Sequence, residues 1–233
     1  TVCGLKTLIM ESCGGSETGT LNYFVSRKDY AGLSYVSERN EPFFCDLQHL
    51  YLCDESKWIS RGILSVNSKT DKLYVSECNV FSELGVTDEK DVIPLFYWSR
   101  KYFDLTIISD SLNSDEMIEA TMLRCADSII IPVRPNVDEV YVKYRRYKKL
   151  CRRYNIPYNK ITFIAWEYEA GKSMSQEDFD IATDGLFGGK IDYDEDRLKC
   201  KNVNGDYYCE YAEVKLKNEY MSIIEKVISK QSL

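Results

Sequence analysis

Histidine is nearly absent from this chain of 233 residues: His49 is the only one. That scarcity removes most zinc sites and His-based catalytic triads, which need more imidazole than is available here. Glycine (12) and proline (5) are sparse, and the balance of 44% hydrophobic to 29% charged residues is that of a globular protein, which excludes disorder over most of the length. No apolar run is long enough to span a bilayer as a helix, and no signal peptide is visible. Excess positive charge is also missing. At a formal net charge of −7, attraction of the whole protein to nucleic acid is not expected, which leaves only a local patch for that role. The first residue is Thr1 rather than Met, so a piece of a longer protein is expected. Cysteine, by contrast, is plentiful and odd in number, at nine. Cys45, Cys78 and Cys125 are scattered through apolar segments, which suits free thiols in a reducing cytoplasm better than a secreted disulfide scaffold. The 18 tyrosines read as amphipathic packing surface.

The stretch 102–137 is the most informative. Two apolar runs rich in Ile and Val, 105–108 and 128–133, flank a segment in which Met117, Ile118, Thr121, Met122 and Cys125 recur at helical spacing. Runs that barely alternate predict strands buried on both faces, as in parallel sheets covered by helices. Asn113 is the expected helix cap, with Glu116 three residues on. Strand, helix and strand make a βαβ unit whose first strand ends in Asp110, and ligands bind beyond the carboxyl ends of such strands.

Elsewhere strands alternate with helices. Residues 5–10 (LKTLIM) read as a first strand, followed by the loop 12–20 (SCGGSETGT), a helix near 22–29, a strand near 33–36, a helix over 42–58 and a strand at 72–76. Thr87 is the expected cap of a helix running to Tyr102, with Val92, Leu95, Phe96 and Ser99 on one face and Pro94 near its start. Helices are predicted over 138–154, 175–184 and 213–229, and strands over 160–165 and 189–192. The whole predicts one large α/β domain with a mainly parallel sheet.

Two local patterns stand out. In the helix 138–154, Val140, Tyr144, Tyr147, Cys151 and Tyr154 form one face. The remainder carries seven basic residues, Lys143, Arg145, Arg146, Lys148, Lys149, Arg152 and Arg153. This positive stripe reads either as a surface for an acidic partner, an anionic membrane or nucleic acid, or as a solvated face paired with acids such as Asp138 and Glu139. Cys200 and Cys209 flank Asn204-Gly205; a two-residue hairpin would set them opposite one another, either as free thiols or as a cross-strand disulfide.

The order of parts resembles the MinD/ParA group of P-loop ATPases. FDLTIISD resembles the strand that presents a metal- or water-facing Asp, here Asp110. ADSIIIPVRPN, with Pro132 and Pro135, resembles the next strand, and KITFIAWEYEAG, SQEDFD and GGKIDYD resemble the last third. The resemblance implies a mainly parallel P-loop NTPase-like sheet flanked by helices, ATP and magnesium as cofactors where the site is intact, and a homodimer. The glycine-rich loop departs from the family's pattern. Gly14 and Gly15 match the paired glycines, but Cys13 stands at the signature lysine, and Glu17 and Thr18 stand near the phosphate lysine. No lysine occurs between Lys6 and Lys28. A carboxylate there repels a triphosphate, whereas lysines neutralise it. Glu38 stands roughly where the family carries a catalytic Asp after the second strand, and Trp166 stands where an Asn often reads adenine.

The residues that would line a vestigial phosphate and base site are Gly14, Gly15, Ser16, Thr18, Gly19, Thr20 and Trp166. Alternatives stay open at each. Asp110 orients a water or magnesium, or caps a turn. The loop binds an anion through its amides, or is a plain strand-to-helix turn. Cys13 is a reactive thiol at a helix terminus, or an inert one. Trp166 stacks on a base, or plugs an unused pocket. Within the group the chain is most similar to the TadZ/CpaE branch, on the lead-in 77–110 and SMSQEDF. That branch implies a cytoplasmic scaffold with a degenerate nucleotide site and no retained cofactor, recruited to the cell pole or inner membrane face by pilus or secretion components. It also implies a receiver-like domain before Thr1. The alternatives are a slow ATPase switch and a nucleoid-binding, partition-type protein.

Overall fold

The structure, a computed structural model, describes residues 4–11, 64–66, 72–79, 88–109, 115–196 and 214–229. The glycine-rich loop, Glu38, His49, Asp110, Asn113, Cys200 and Cys209 lie outside these residues, as do the expected elements near 22–29, 33–36 and 42–58. The chain groups into two compact units, Thr1–Thr121 and Met122–Leu233, each described by itself.

The first unit holds a four-stranded sheet of order β2-β3-β1-β4, made of β1 (Thr7–Glu11), β2 (Leu64–Val66), β3 (Leu73–Asn79) and β4 (Leu105–Ser109). β1 runs parallel to β3 and β4, and only β2 pairs antiparallel, with β3. The starts of β1 and β4 are tied together. Lys6 N donates to Asp104 Oδ2 at 2.8 Å, and Asp104 N returns to Lys6 O at 2.9 Å. Helix α1 (Glu89–Tyr102) precedes β4 and buries Val92, Leu95, Trp98 and Ser99. Phe96, expected on that face, is half-buried, and Trp98 takes its place. Trp98 lies 5.5 Å from Phe103, whose ring meets Tyr74 edge-on at 5.1 Å.

The cap of α1 is Asp88 rather than Thr87. Its side chain accepts from Lys90 N, and Asp91 Oδ2 takes the Asp88 N–H at 3.1 Å. The Lys90 side chain, through its hydrogen bond, holds the Asp88 carboxyl below its ordinary value. A carboxylate can close a capping box as Glu or Gln does, and two acids in the first turn suit the helix dipole. Pro94 sits inside α1 and has no N–H to give the carbonyl of Lys90. Helix α2 (Glu116–Cys125) starts two residues later than the Asn113 cap implied, with Asp115 Oδ1 accepting from Met117 N at 2.8 Å. Ile118, Thr121 and Met122 are buried as expected, but Met117 is exposed.

The second unit is built on a parallel sheet of order β5-β6-β7, with β5 (Ile129–Val133), β6 (Ile161–Tyr168) and β7 (Phe187–Asp192). Successive side chains of a strand point to opposite faces. On one face Phe163 and Ala165 join Ile131 and Val133 under α3 (Val137–Tyr154), which contributes Val140, Tyr144 and Cys151, and beside Phe179 of α4 (Gln176–Ala182). On the other, Ile164 and Ile191 pack with Leu216, Ile223 and Val227 of α5 (Val214–Ser229). Helix, sheet and helix thus form three layers in this unit.

Two expectations of burial fail. β4 is exposed on Leu105 (41%) and Ile107 (46%), and β5 alternates, with Ile130 exposed while Ile129, Ile131 and Val133 are buried. Both strands are edges of their sheets among the described residues. Of the two strands expected to flank α2 in a βαβ unit, β4 belongs to the sheet of the first unit and β5 to that of the second. α3 covers one face of β5, while α5 lies against β7 and leaves Ile130 and Pro132 open. An edge strand also suits Pro132, which cannot donate to a ladder. Fold class agrees with the sequence: mainly parallel sheets flanked by helices.

Candidate functional site

Ligands of parallel α/β sheets bind past the carboxyl ends of the strands. In the second unit that edge is crowded with paired charges. Arg134, just after β5, donates from Nε to Glu167 Oε2 at 3.0 Å. Glu167 sits in the left-handed region at φ 60, where β6 slips register against β7. Met174 N donates to Pro135 O at 2.8 Å, fastening the loop after β6 to the end of β5. Lys172 Nζ reaches Glu169 Oε2 at 2.6 Å.

At the end of β7, Lys190 and Lys215 both bond Asp192, and both stand 4.0 Å from Glu219 Oε1. Glu219 Oε2 also accepts the Asp192 N–H at 2.9 Å, so the network fixes α5 to the sheet. Burial pushes the Asp192 carboxyl up, but the two lysines outweigh it and hold the group below its ordinary value. Lys190 Nζ also lies 4.7 Å from the centre of the Tyr168 ring. Each cation named here is already matched by a carboxylate, so among the described residues these side chains leave little unspent positive charge at this edge.

Trp166 lies two residues before the end of β6 rather than at it, opposite Ile191. It is half-buried and packs with Tyr220 against the core between the sheet and α5. Gly14, Gly15, Ser16, Thr18, Gly19, Thr20 and Asp110 lie outside the described residues. Among the described residues, no group of three or more His, Cys, Asp or Glu side chains is placed to hold a metal ion, and no helix is long and apolar enough to cross a membrane.

The basic helix α3 is fully described. Asn136 caps it, accepting Glu139 N at 2.9 Å, and Asn155 ends it in the left-handed region at φ 54. Its apolar face is the one expected, with Val140, Tyr144 and Cys151 buried, Tyr147 and Tyr154 partly so, and Leu150 in addition. Arg145, Lys149, Arg152 and Arg153 are exposed, and Lys143, Arg146 and Lys148 are half-buried. Glu139 engages Asn136 at the cap.

Lys148 of this stripe pairs with Asp184, far away in sequence. Lys148 Nζ donates to Asp184 Oδ2 at 2.7 Å and to the Tyr144 hydroxyl at 2.6 Å, and that hydroxyl donates to the same Asp184 oxygen. The Tyr144/Lys148 pair is readable as neighbours one helical turn apart. Asp184, placed by the turn after α4, gives no such signal.

This triad has a signed dependence on pH. Lys148 first and Tyr144 second hold the Asp184 carboxyl below its ordinary 3.8. Asp184 and then Tyr144 raise Lys148 above 10.5. Burial, then Asp184, raises the Tyr144 phenol above 10.0. The Asp184 contribution to stability is present above its unfolded pKa and is lost as pH falls through the depressed folded value. The Lys148 and Tyr144 contributions are complete below their unfolded values and are lost as pH rises through the raised ones. Asp184→Asn, which tolerates the left-handed backbone at φ 52, is therefore expected to lower the melting temperature modestly at neutral pH and to flatten the acid limb of its pH profile. An acid limb identical to that of the unmutated protein would contradict the assignment.

No known family profile matches the sequence, and sequence comparison finds no curated relative. Solved structures do match. A ParA family ATPase from Chlorobium tepidum TLS superposes with a TM-score of 0.69 at 14% identity, covering 96% of this chain and 85% of that one. The septum site-determining protein MinD of Pyrococcus horikoshii OT3, complexed with Mg-ADP, gives 0.65 at 13% identity, with 96% and 84% covered. A putative plasmid partition protein of Borrelia burgdorferi B31, bound to AMPPNP, gives 0.65 at 16% identity, with 98% and 89% covered. The fold is that of the ParA/MinD-type P-loop ATPases. At such identities the likeness speaks to the fold alone.

Proposed function

We propose that this protein is a ParA/MinD-like scaffold or localisation factor whose nucleotide site is degenerate, serving a Tad-like pilus or secretion apparatus. It acts as a homodimer in the cytoplasm and is recruited by protein partners to the cell pole or the inner membrane face. The observation that carries the reading is the loop SCGGSETGT after β1, which keeps Gly14 and Gly15 but introduces Glu17 and lies in a stretch with no lysine between Lys6 and Lys28. Backbone amides alone bind anions, but a triphosphate and its metal need neutralising side chains.

The Mg-ADP and AMPPNP bound by two of the structural neighbours favour a second reading, a slow ATP-binding switch. There the amides of Gly14, Gly15, Ser16, Thr18, Gly19 and Thr20 cradle phosphate, Asp110 faces the metal and Trp166 meets the base. Titration with magnesium-ATP separates the two. A ligand at a hundred times its Kd stabilises a fold by about 2.7 kcal/mol, which raises the melting temperature by roughly 5–10 °C in a domain of this size. The scaffold reading predicts no shift up to millimolar nucleotide. A clear, saturable rise would establish the switch instead.

A further inference from the structure

The outward face of α3 gathers cations that the fold does not spend on itself. Lys148 on the same helix and Lys172, Lys190 and Lys215 elsewhere in the unit meet carboxylates, and Lys160 and Lys226 meet backbone carbonyls. Arg145, Lys149 and Arg152 are exposed and form no salt bridge among the described residues, although Arg152 acts on Asp184 at longer range. They recur at the four- and three-residue spacing that sets side chains on one helix face, spanning about 10 Å.

One turn towards the N-terminus the same face turns apolar. Tyr141 (49% exposed) and Val142 (65%) stand open to solvent, and the Arg145 guanidinium lies 4.2 Å from the centre of the Tyr141 ring. Stacked arginine and tyrosine make a flat, stiff platform. The first turn of the helix carries Asp138 and Glu139.

We propose that this face docks a short acidic segment of a partner protein. An apolar side chain of the segment covers Tyr141 and Val142, and carboxylates spaced along it meet Arg145, Lys149 and Arg152. The limits of the patch choose this occupant. A nucleic-acid backbone or an anionic membrane is a continuous anionic surface. Either would meet Asp138 and Glu139 at one end of the helix and a protein of net charge −7 around it. A segment about three helical turns long meets only the matched part, within one Debye length of the cations. The apolar end supplies contact area, and the arginines and lysine supply orientation and on-rate.

The inference rests on the partner-docking role proposed above, and its test is independent of the nucleotide question. The probes are a labelled short peptide carrying one Phe followed by Glu at helical spacing, its Gln-for-Glu counterpart, a labelled DNA duplex, and phosphatidylserine vesicles. All are titrated against the full chain at low salt. The Glu peptide is expected to bind, the Gln peptide to bind at least about tenfold more weakly, and Arg145→Glu with Lys149→Glu to weaken the Glu peptide by a similar factor. Tyr141→Ala is expected to weaken both peptides. Circular dichroism and melting of the variants confirm an intact fold, which is expected because these side chains are exposed. Equal binding of the Glu and Gln peptides, indifference to the charge reversals, or binding of DNA or vesicles in preference to the peptide would overturn the proposal, as would no peptide binding at all. If magnesium-ATP stabilises the protein while the Glu peptide still docks here, the scaffold reading falls and this one stands.

Discussion

Replacing Phe163 by Ala is expected to destabilise the second unit by about 3–5 kcal/mol, read as a shift in the urea midpoint of its unfolding. Phe163 is 1% exposed in the first half of β6, with the Tyr144 and Tyr147 rings set edge-on to it at 6.1 and 6.4 Å. Its loss removes the main aromatic contact between α3 and the sheet, and with it packing that a collapsing core recovers only in part. Phe163→Leu keeps much of the volume and is expected to cost far less. If the Ala and Leu variants unfold at the same midpoint, the ring is not the support of α3. Because α3 also carries the proposed docking face, Phe163→Ala should weaken the acidic peptide although Phe163 itself is buried beneath the helix.

A comparably large effect is expected from Gly188→Val. A Cβ at Gly188 would run into Cγ2 of Thr162, a side chain that is 2% exposed on the neighbouring strand. At Gly189 the backbone lies at φ +144, and a Cβ would come 3.1 Å from Ile223 Cγ1. The glycine pair lets β7 lie close to both β6 and α5. Overpacking of this kind costs about 1–3 kcal/mol for the smallest insertion, and Val adds two further methyl groups. A double-mutant cycle identifies the cause: Thr162→Ser removes the obstructing methyl and is expected to restore part of the stability lost in Gly188→Ala. No coupling between the two positions would show that the loss arises elsewhere.

Sequence reading did best where period and caps agreed. The helix expected over 138–154 is Val137–Tyr154, and the strand expected at 160–165 is Ile161–Tyr168. Ser175 and Asp178 cap α4 as a local pattern, with Asp178 N donating to Ser175 Oγ at 3.1 Å. Local pattern failed where the decisive fact was non-local. The apolar run of β5 was expected to be buried on both faces, but which faces are covered depends on where α3 and α5 land. Similarly, the stripe on α3 was legible as seven basic residues, but that Lys148 is spent on Asp184 while Arg145 and Lys149 face outward is not written in the helix itself. Trp166 was placed at a strand end that lies two residues further on, because the bulge at Glu167 extends β6 beyond its apolar run.

Cys151 lies on the buried face of α3, 2% exposed, and burial raises its thiol above the ordinary range, so it is shielded from reagents while the helix stays seated. Alkylation therefore has to wait for the helix to lift. When reclosing is fast, the labelling rate counts how often that happens, and the protein carries in Cys151 a gauge of whether a bound partner steadies its docking helix or loosens it.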